Sequence, residues 1–335
     1  MTSHAPVRRV TVSTGFDAEY ASFYLQGLRE LQPSVRLRFA GLPFQGLPRE
    51  PLGLRIGDDG PRVCIDSHDS HQLVPEWFAW ADVYGKVNLD PSSRPATGAE
   101  KLCALGPGFG VRVWGPARSA AYAFATFMLD RSAGGGGARK HFSRWRRQYA
   151  YHPPEHEFVP GESDPTKLFF VSSLWPAAPM ANELRRRFVA ACVRVPGAEF
   201  EGGFAPFRHG FEVDVRPDMQ TSRRYPAREF IAKLQRSAAS FIVPGVHDCL
   251  TWRLGQSLAL GKAIIATPLA RAMPAPLEHG RNVHFVDGSE GAILDALQKI
   301  CGDTTYRRSL EREARAYYDT YLAPKAVVGR LLAGV

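Results

Sequence analysis

Two α/β domains are what this sequence predicts, and three observations carry that expectation. Short apolar runs rich in β-type residues alternate along the whole chain with stretches of helical apolar spacing, the pattern of strands crossed by helices. A proline-rich stretch, His152–Pro165, interrupts the alternation, and Lys167–Ser172 (KLFFVS) then restarts it with a clean strand. With 335 residues, 44% of them hydrophobic, the chain can bury two medium cores. The expected boundaries are 1–160, 161–318 and a last helix, 319–335, packing back on the first domain.

Taken in order, Arg8–Ser13 reads as the first strand, Thr14–Asp17 as a loop and Ala18–Leu31 as a helix with Tyr20, Phe23, Tyr24, Leu28 and Leu31 on its apolar face. Val35–Phe39 alternates like a second strand. Gly41–Gly60 is rich in Pro and Gly and is expected to be irregular. Pro61–Asp66 is a strand running into Ser67, His68, Asp69, Ser70 and His71. Val74–Ala81 reads as a helix, Asp82–Leu89 as a strand with Lys86 as a solvated edge lysine, Pro91–Gly110 as a loop and Pro116–Leu129 as a helix. Gly134–Gly137 is a flexible connection.

In the next helix, Ala138–His152, the aromatics Phe142, Trp145 and Tyr149 are spaced i, i+3, i+7 and flanked by Arg139, Lys140, Arg144, Arg146 and Arg147. One reading is a peripheral membrane contact through 138–152; the other is a helix packed on its own domain with a solvated basic face. In the second domain, Ala181–Arg194 is a helix and 200–224 is poorly patterned. Tyr225–Arg236, Gly291–Ile300, Thr305–Tyr321 and Pro324–Leu332 are further helices.

Two places can do chemistry. Past the strand end at Asp66, two carboxylates and two imidazoles lie close in sequence. Asp66, His68 or Asp69 could take a proton from a substrate hydroxyl; the group could also hold a metal or serve as turn and capping residues. The second place is Ser237–Ala272. Ser240–Val243 reads as a buried strand, Asp248 as the cap of a helix from Cys249 to Leu260, Gly261 as its C-terminal glycine and Ala263–Thr267 as the next strand. Ligands of open α/β sheets bind at the carboxyl ends of strands beside helix N-termini, which makes His247, Asp248, Cys249, Leu250 and Thr251 an anion-binding lip. Arg253, one turn on, faces a phosphate or lies in a salt bridge.

That second stretch resembles the nucleotide-sugar motif in the C-terminal domain of GT-B glycosyltransferases, such as group 1 and exostosin-like nucleotide-sugar domains. The family pattern is an acidic residue, seven residues, a Glu, then a small-residue helix end, Gly-Lys and an apolar strand. Asp248 takes the acidic place, Gln256 stands where the family has Glu, and Gly261-Lys262 follow. The resemblance spans Lys167–Leu332, most specifically Tyr225–Asp287. It implies two Rossmann-like domains facing a cleft, with the nucleotide on the C-terminal one and Gln256 on the ribose hydroxyls. It implies that Ser172, Ser173 and Arg185 or Arg186 meet the donor diphosphate, and that the first loop, Gly15, Phe16 and Asp17, touches the acceptor.

The activity implied is transfer of a sugar from a nucleotide sugar to a hydroxyl of a small-molecule, glycan or lipid-linked acceptor. It is expected to be inverting and to need no metal and no cofactor beyond the donor cosubstrate. A GT-B-fold nucleotide-sugar epimerase and a non-catalytic nucleotide-sugar-binding protein are the rival readings.

Composition narrows the setting. The five cysteines are odd in number and lack C-x-x-C spacing, which speaks against a disulfide framework or zinc site and suits a reducing cytoplasm. Met1–Val7 has no hydrophobic signal core, and the apolar run Ala120–Leu129 is too short to span a bilayer. The formal charge of +9 suggests acidic partners, yet no nucleic-acid motif accompanies it, and nucleic acid is not an expected partner.

Overall fold

The computed structural model describes residues 9–92, 95–130, 137–205 and 215–334. Within the predicted glycine connection, 134–136 lie outside the described residues, as do 206–214 in the poorly patterned 200–224 segment. The chain divides into two compact units, 1–157 with 321–335, and 158–320.

The first unit begins with β1 (Arg9–Val12), α1 (Ala18–Leu31), β2 (Arg36–Phe39), β3 (Leu52–Ile56), β4 (Arg62–Asp66), α2 (Pro75–Trp80), β5 (Val83–Lys86) and β6 (Leu102–Ala104), followed by α3 (Pro116–Leu129) and α4 (Gly137–Ala150). Its six-stranded sheet has the order β2-β1-β3-β4-β5-β6. All neighbours are parallel except β3, which runs antiparallel to both β1 and β4. β3 corrects the expectation that 41–60 is irregular, and β6 is a strand in what was expected to be loop. Gly53, inside β3, is there for space: a Cβ on it would lie 2.6 Å from the Trp77 ring that packs over it.

α1 forms where its spacing predicts. Asp17 caps it by accepting from Glu19 N at 2.9 Å, and Phe23, Tyr24, Leu25 and Leu28 are buried. Burying each such side chain stabilises by about 1.5–3 kcal/mol relative to leaving it exposed. α4 packs on its own unit. Trp145 is buried among Phe16, Phe39, Trp114 and Tyr122, with ring centroids 5.7–6.3 Å away. Of the three aromatics expected on one face, Tyr149 is partly buried and only Phe142 is exposed.

The second unit holds β7 (Lys167–Ser172), α5 (Pro179–Cys192), β8 (Glu199–Phe204), α6 (Ala227–Arg236), β9 (Ser240–Ile242), α7 (Trp252–Ala259), β10 (Ile264–Ala266), β11 (His284–Phe285), α8 (Glu290–Gly302) and α9 (Thr304–Tyr317). Its strands form two parallel ladders, β7-β8 and β11-β10-β9. β7 lies beside the entry to β9, where Ala238 N donates to Lys167 O at 2.7 Å and Phe169 N to Ser237 Oγ at 3.0 Å. Helices pack against these ladders around a core that includes Phe170, Phe188, Phe241, Ile265 and Leu297. The chain ends in α10 (Pro324–Ala333), which returns to the first unit and packs on α1.

Candidate functional site

At the carboxyl end of β7 the second unit brings two arginines together. Arg185 of α5 is 8% exposed, and its Nη1 lies 3.4 Å from both Ser173 O and Asn182 Oδ1. Arg253 of α7 donates from Nη2 to Val171 O and is enclosed by the Phe170 and Phe230 rings, 5.3 and 5.1 Å from its guanidinium carbon. Burial lowers the Arg185 pKa. Burial and the like charge of Arg185 lower that of Arg253 to about 10, so both stay charged at neutral pH. Among the described residues no carboxylate pairs with either. Two neighbouring guanidiniums without a carboxylate partner favour an anion near them.

The same edge carries Thr267, just past β10. It is 6% exposed, and its Oγ1 is buried with no hydrogen-bond partner among the described residues. The side-chain amide of Gln256 is partly exposed and makes no hydrogen bond among the described residues, so it is free to bind a ligand.

The lip itself differs from expectation. His247 and Asp248 are exposed and left-handed, with φ of 56° and 57°. They belong to a short 3-10 turn, Val246–Asp248, so Asp248 caps nothing; α7 starts at Trp252 with Thr251 in the N-cap place. Cys249 and Leu250 are buried. Gly261, at φ 57°, follows the helix end as predicted, and Lys262 is buried with its Nζ donating to Gln235 O at 2.8 Å. Arg186 forms an ion pair with Glu183 at 3.8 Å. Ser172 spends its hydroxyl on Ser173 O at 3.1 Å.

In the first unit, Asp66 at the end of β4 is sealed from solvent. Its Oδ2 accepts from Lys86 Nζ at 2.8 Å and Tyr84 Oη at 2.5 Å; its Oδ1 accepts from His68 N at 3.0 Å and His68 Nδ1 at 2.9 Å. Burial alone would raise the carboxyl pKa, but the bonds from His68 and the charge of Lys86 outweigh it and hold it below the usual value. Lys86 is therefore a buried partner and not a solvated edge lysine. His68 Nε2 reaches Glu50 Oε2 at 3.2 Å, and the bonds to Asp66 and Glu50 raise the imidazole to about 9. Two of the three expected bases are thereby disarmed: Asp66 has every lone pair engaged, and His68 is a cation at neutral pH. Asp69 is exposed.

Glu50 extends the network. Arg144 Nη2 donates to its Oε1 at 2.8 Å, and Arg144 Nε pairs with Asp17 at 2.6 Å. Glu50 sits at φ 94°, a strained value for a residue with a Cβ, and its backbone bonds hold the first loop: Glu50 N donates to Gly15 O at 3.1 Å. In that loop Phe16 is a core residue, 4% exposed, and Asp17 is the helix cap, so of the three expected acceptor contacts only Gly15 is open. It lines a cavity of about 560 Å³ with Ser13, Arg38, Leu42, Arg49 and Met128. Among the described residues no three His, Cys, Asp or Glu side chains converge as a metal site.

Sequence reasoning missed Thr267, Glu50, Tyr84 and the paired role of Lys86. Only the last had a signal, a lysine inside an apolar strand.

No family model matches the chain, and no curated protein matches it. Solved structures to which it is similar include a glycosyltransferase from Rickettsia africae ESF-5, 10% identical over 75% of this chain and 62% of that one, with a TM-score of 0.41. The C-terminal domain of the glycosyl transferase group 1 family protein LpcC from Francisella tularensis is 12% identical over 50% of this chain and 91% of that one, TM-score 0.32. HepE from Anabaena, in complex with UDP and glucose, is 11% identical over 94% and 95%, TM-score 0.40. The chain spans less than two thirds of the length of the Rickettsia protein.

Proposed function

We propose that the chain transfers a sugar from a nucleotide-sugar donor, bound on the second unit, to an acceptor hydroxyl bound on the first. The observation that carries this reading is the pair of Arg185, buried, and Arg253, half-buried between the Phe170 and Phe230 rings, at the carboxyl end of β7, with no carboxylate partner among the described residues. In such a transfer the bond from the anomeric carbon to the distal phosphate oxygen breaks, and the acceptor oxygen bonds to that carbon. The acceptor proton passes to a base, and a nucleoside diphosphate leaves with increased negative charge. Groups that meet that charge as it grows lower the barrier. Two preorganised guanidiniums and the free Thr267 hydroxyl suit a diphosphate, and because the cationic charge comes from side chains the reading is of a metal-independent transfer.

Gln256 is free to hydrogen-bond ribose hydroxyls, in keeping with the motif it occupies. The cavity beside Gly15 is the acceptor candidate. With Asp66 sealed and His68 protonated, Asp69 is the remaining base of the three, and a base on the acceptor side supports inversion.

The test is release of nucleoside diphosphate from UDP-, GDP-, ADP- and TDP-sugars, with and without an acceptor panel. Release that needs both donor and acceptor and is lost in Arg253→Met supports transfer. Conversion of donor with no acceptor would point to the epimerase, and binding without turnover to a non-catalytic protein.

A further inference from the structure

We propose that the outer face of α3, joined by Phe142 of α4, seats this protein on the surface of an anionic lipid bilayer. α3 carries apolar side chains on both faces: Tyr122 packs inward on Phe39, Trp114 and Trp145, while a second apolar stripe faces outward. Its buried positions are Ser119, Ala123 and Thr126, where Ser119 Oγ donates to Gln148 Oε1 at 3.2 Å and Thr126 Oγ1 lies 3.1 Å from His141 Nε2. Its outward stripe is Ala117, Ala121, Phe124 and Met128, spaced i, i+4, i+7, i+11 and exposed throughout. Phe124 is 62% and Met128 64% exposed. A helix already packed on its unit that keeps a second, exposed apolar ridge has a partner that is not water.

The ridge is continuous with neighbouring apolar groups. Phe127 and Phe142 approach to 5.4 Å between centroids, which carries it onto α4. At the other end, Leu129 and the turn bearing Leu42, itself 77% exposed, adjoin: a Cβ on Gly41 would lie 2.7 Å from Leu129 O.

Charge selects the occupant. Arg118 on α3, and Arg139 and Arg146 flanking Phe142 at i, i+3, i+7 on α4, are exposed and have no acidic partner among the described residues. Neither helix contains an Asp or Glu. A second copy docking by this face would bring like charges together, whereas anionic headgroups neutralise them while the ridge enters the acyl boundary. The seat is α3 and not the aromatic face of α4, because Trp145 is buried. Leu42, Met128 and Leu129 also line the cavity beside Gly15, so that cavity opens at the seat.

The experiment is sedimentation of the full chain with large vesicles of phosphatidylcholine alone, or with about a third phosphatidylglycerol. Wild type is expected to pellet with the anionic vesicles, roughly fivefold less with the neutral ones, and roughly fivefold less as Phe124→Ser/Met128→Ser or as Arg139→Gln/Arg146→Gln. These are surface changes, and unchanged thermal melting confirms the fold. Wild type left in the supernatant with anionic vesicles overturns the proposal, as does a Phe124→Ser/Met128→Ser variant that pellets like wild type. A concentration-dependent dimer in light scattering, lost in that variant, would assign the face to a second copy and also overturn it. The readout is independent of sugar transfer.

Discussion

Lys86 Nζ stands 2.8 Å from Asp66 Oδ2, cross-strand partners on β5 and β4, and neither side chain has any solvent exposure. The pair anchors a network in which Asp66 also accepts from Tyr84 and His68, and His68 reaches Glu50. Lys86→Met keeps the volume but takes from the buried carboxylate one of its two cations, leaving Oδ2 with Tyr84 and Oδ1 with His68. The expected loss is about 3–5 kcal/mol in urea unfolding. Asp66→Leu alone should cost at least as much, because it takes the acceptor from Lys86, Tyr84 and His68 at once.

His68 makes the stability of the first unit depend on pH. Its pKa is raised from 6.5 to about 9 by Asp66 and Glu50, so its contribution is fully present below about 6.5 and is lost as pH rises through about 9. Glu50 is shifted the other way, chiefly by its bond with His68, and its contribution is lost only under acid. Wild type should therefore exceed His68→Gln in stability most at pH 6, with the gap closing by about pH 10 in denaturation curves. A gap that widens above pH 7 would contradict the assignment of His68 as an imidazolium.

The contact of α10 with α1 is close enough to be tested at one atom. A Cβ on Gly27 would fall 2.1 Å from Pro324 O and 2.9 Å from a Val328 methyl. Gly27→Ala gains helix propensity but forces the helices apart, and overpacking of this kind costs about 1–3 kcal/mol. A lower melting temperature is expected; an unchanged or higher one would show that α10 yields freely.

Elements with dense local signals were legible in the sequence. α1 follows from Tyr20, Phe23, Tyr24, Leu28 and Leu31, and β9-α7-β10 from two apolar runs, a helical stretch and Gly261. What failed depended on distant partners or on backbone shape. Asp248 looks like a cap, but two consecutive left-handed residues turn the chain and α7 begins at Trp252. In β3 the alternation of Leu52, Leu54 and Ile56 was masked by Pro51 and Gly53, the latter dictated by Trp77. On the second unit the sequence singles out Arg185 and Arg253, yet that no carboxylate among the described residues pairs with either is a fact of three dimensions. Trp145 reads as one of an aromatic face until Phe16, Phe39, Trp114 and Tyr122 enclose it.

The most direct measurement is calorimetric titration of wild type, Arg253→Met and Arg185→Met with UDP, GDP, ADP and TDP and with the corresponding nucleosides. Charge-assisted hydrogen bonds contribute about 1.5–3 kcal/mol each, so one diphosphate should bind wild type roughly 10- to 100-fold more tightly than either variant. Its nucleoside should bind far more weakly and be indifferent to the substitutions. Binding that is equal in all three proteins, or no binding of any diphosphate, would contradict a diphosphate site between Arg185 and Arg253.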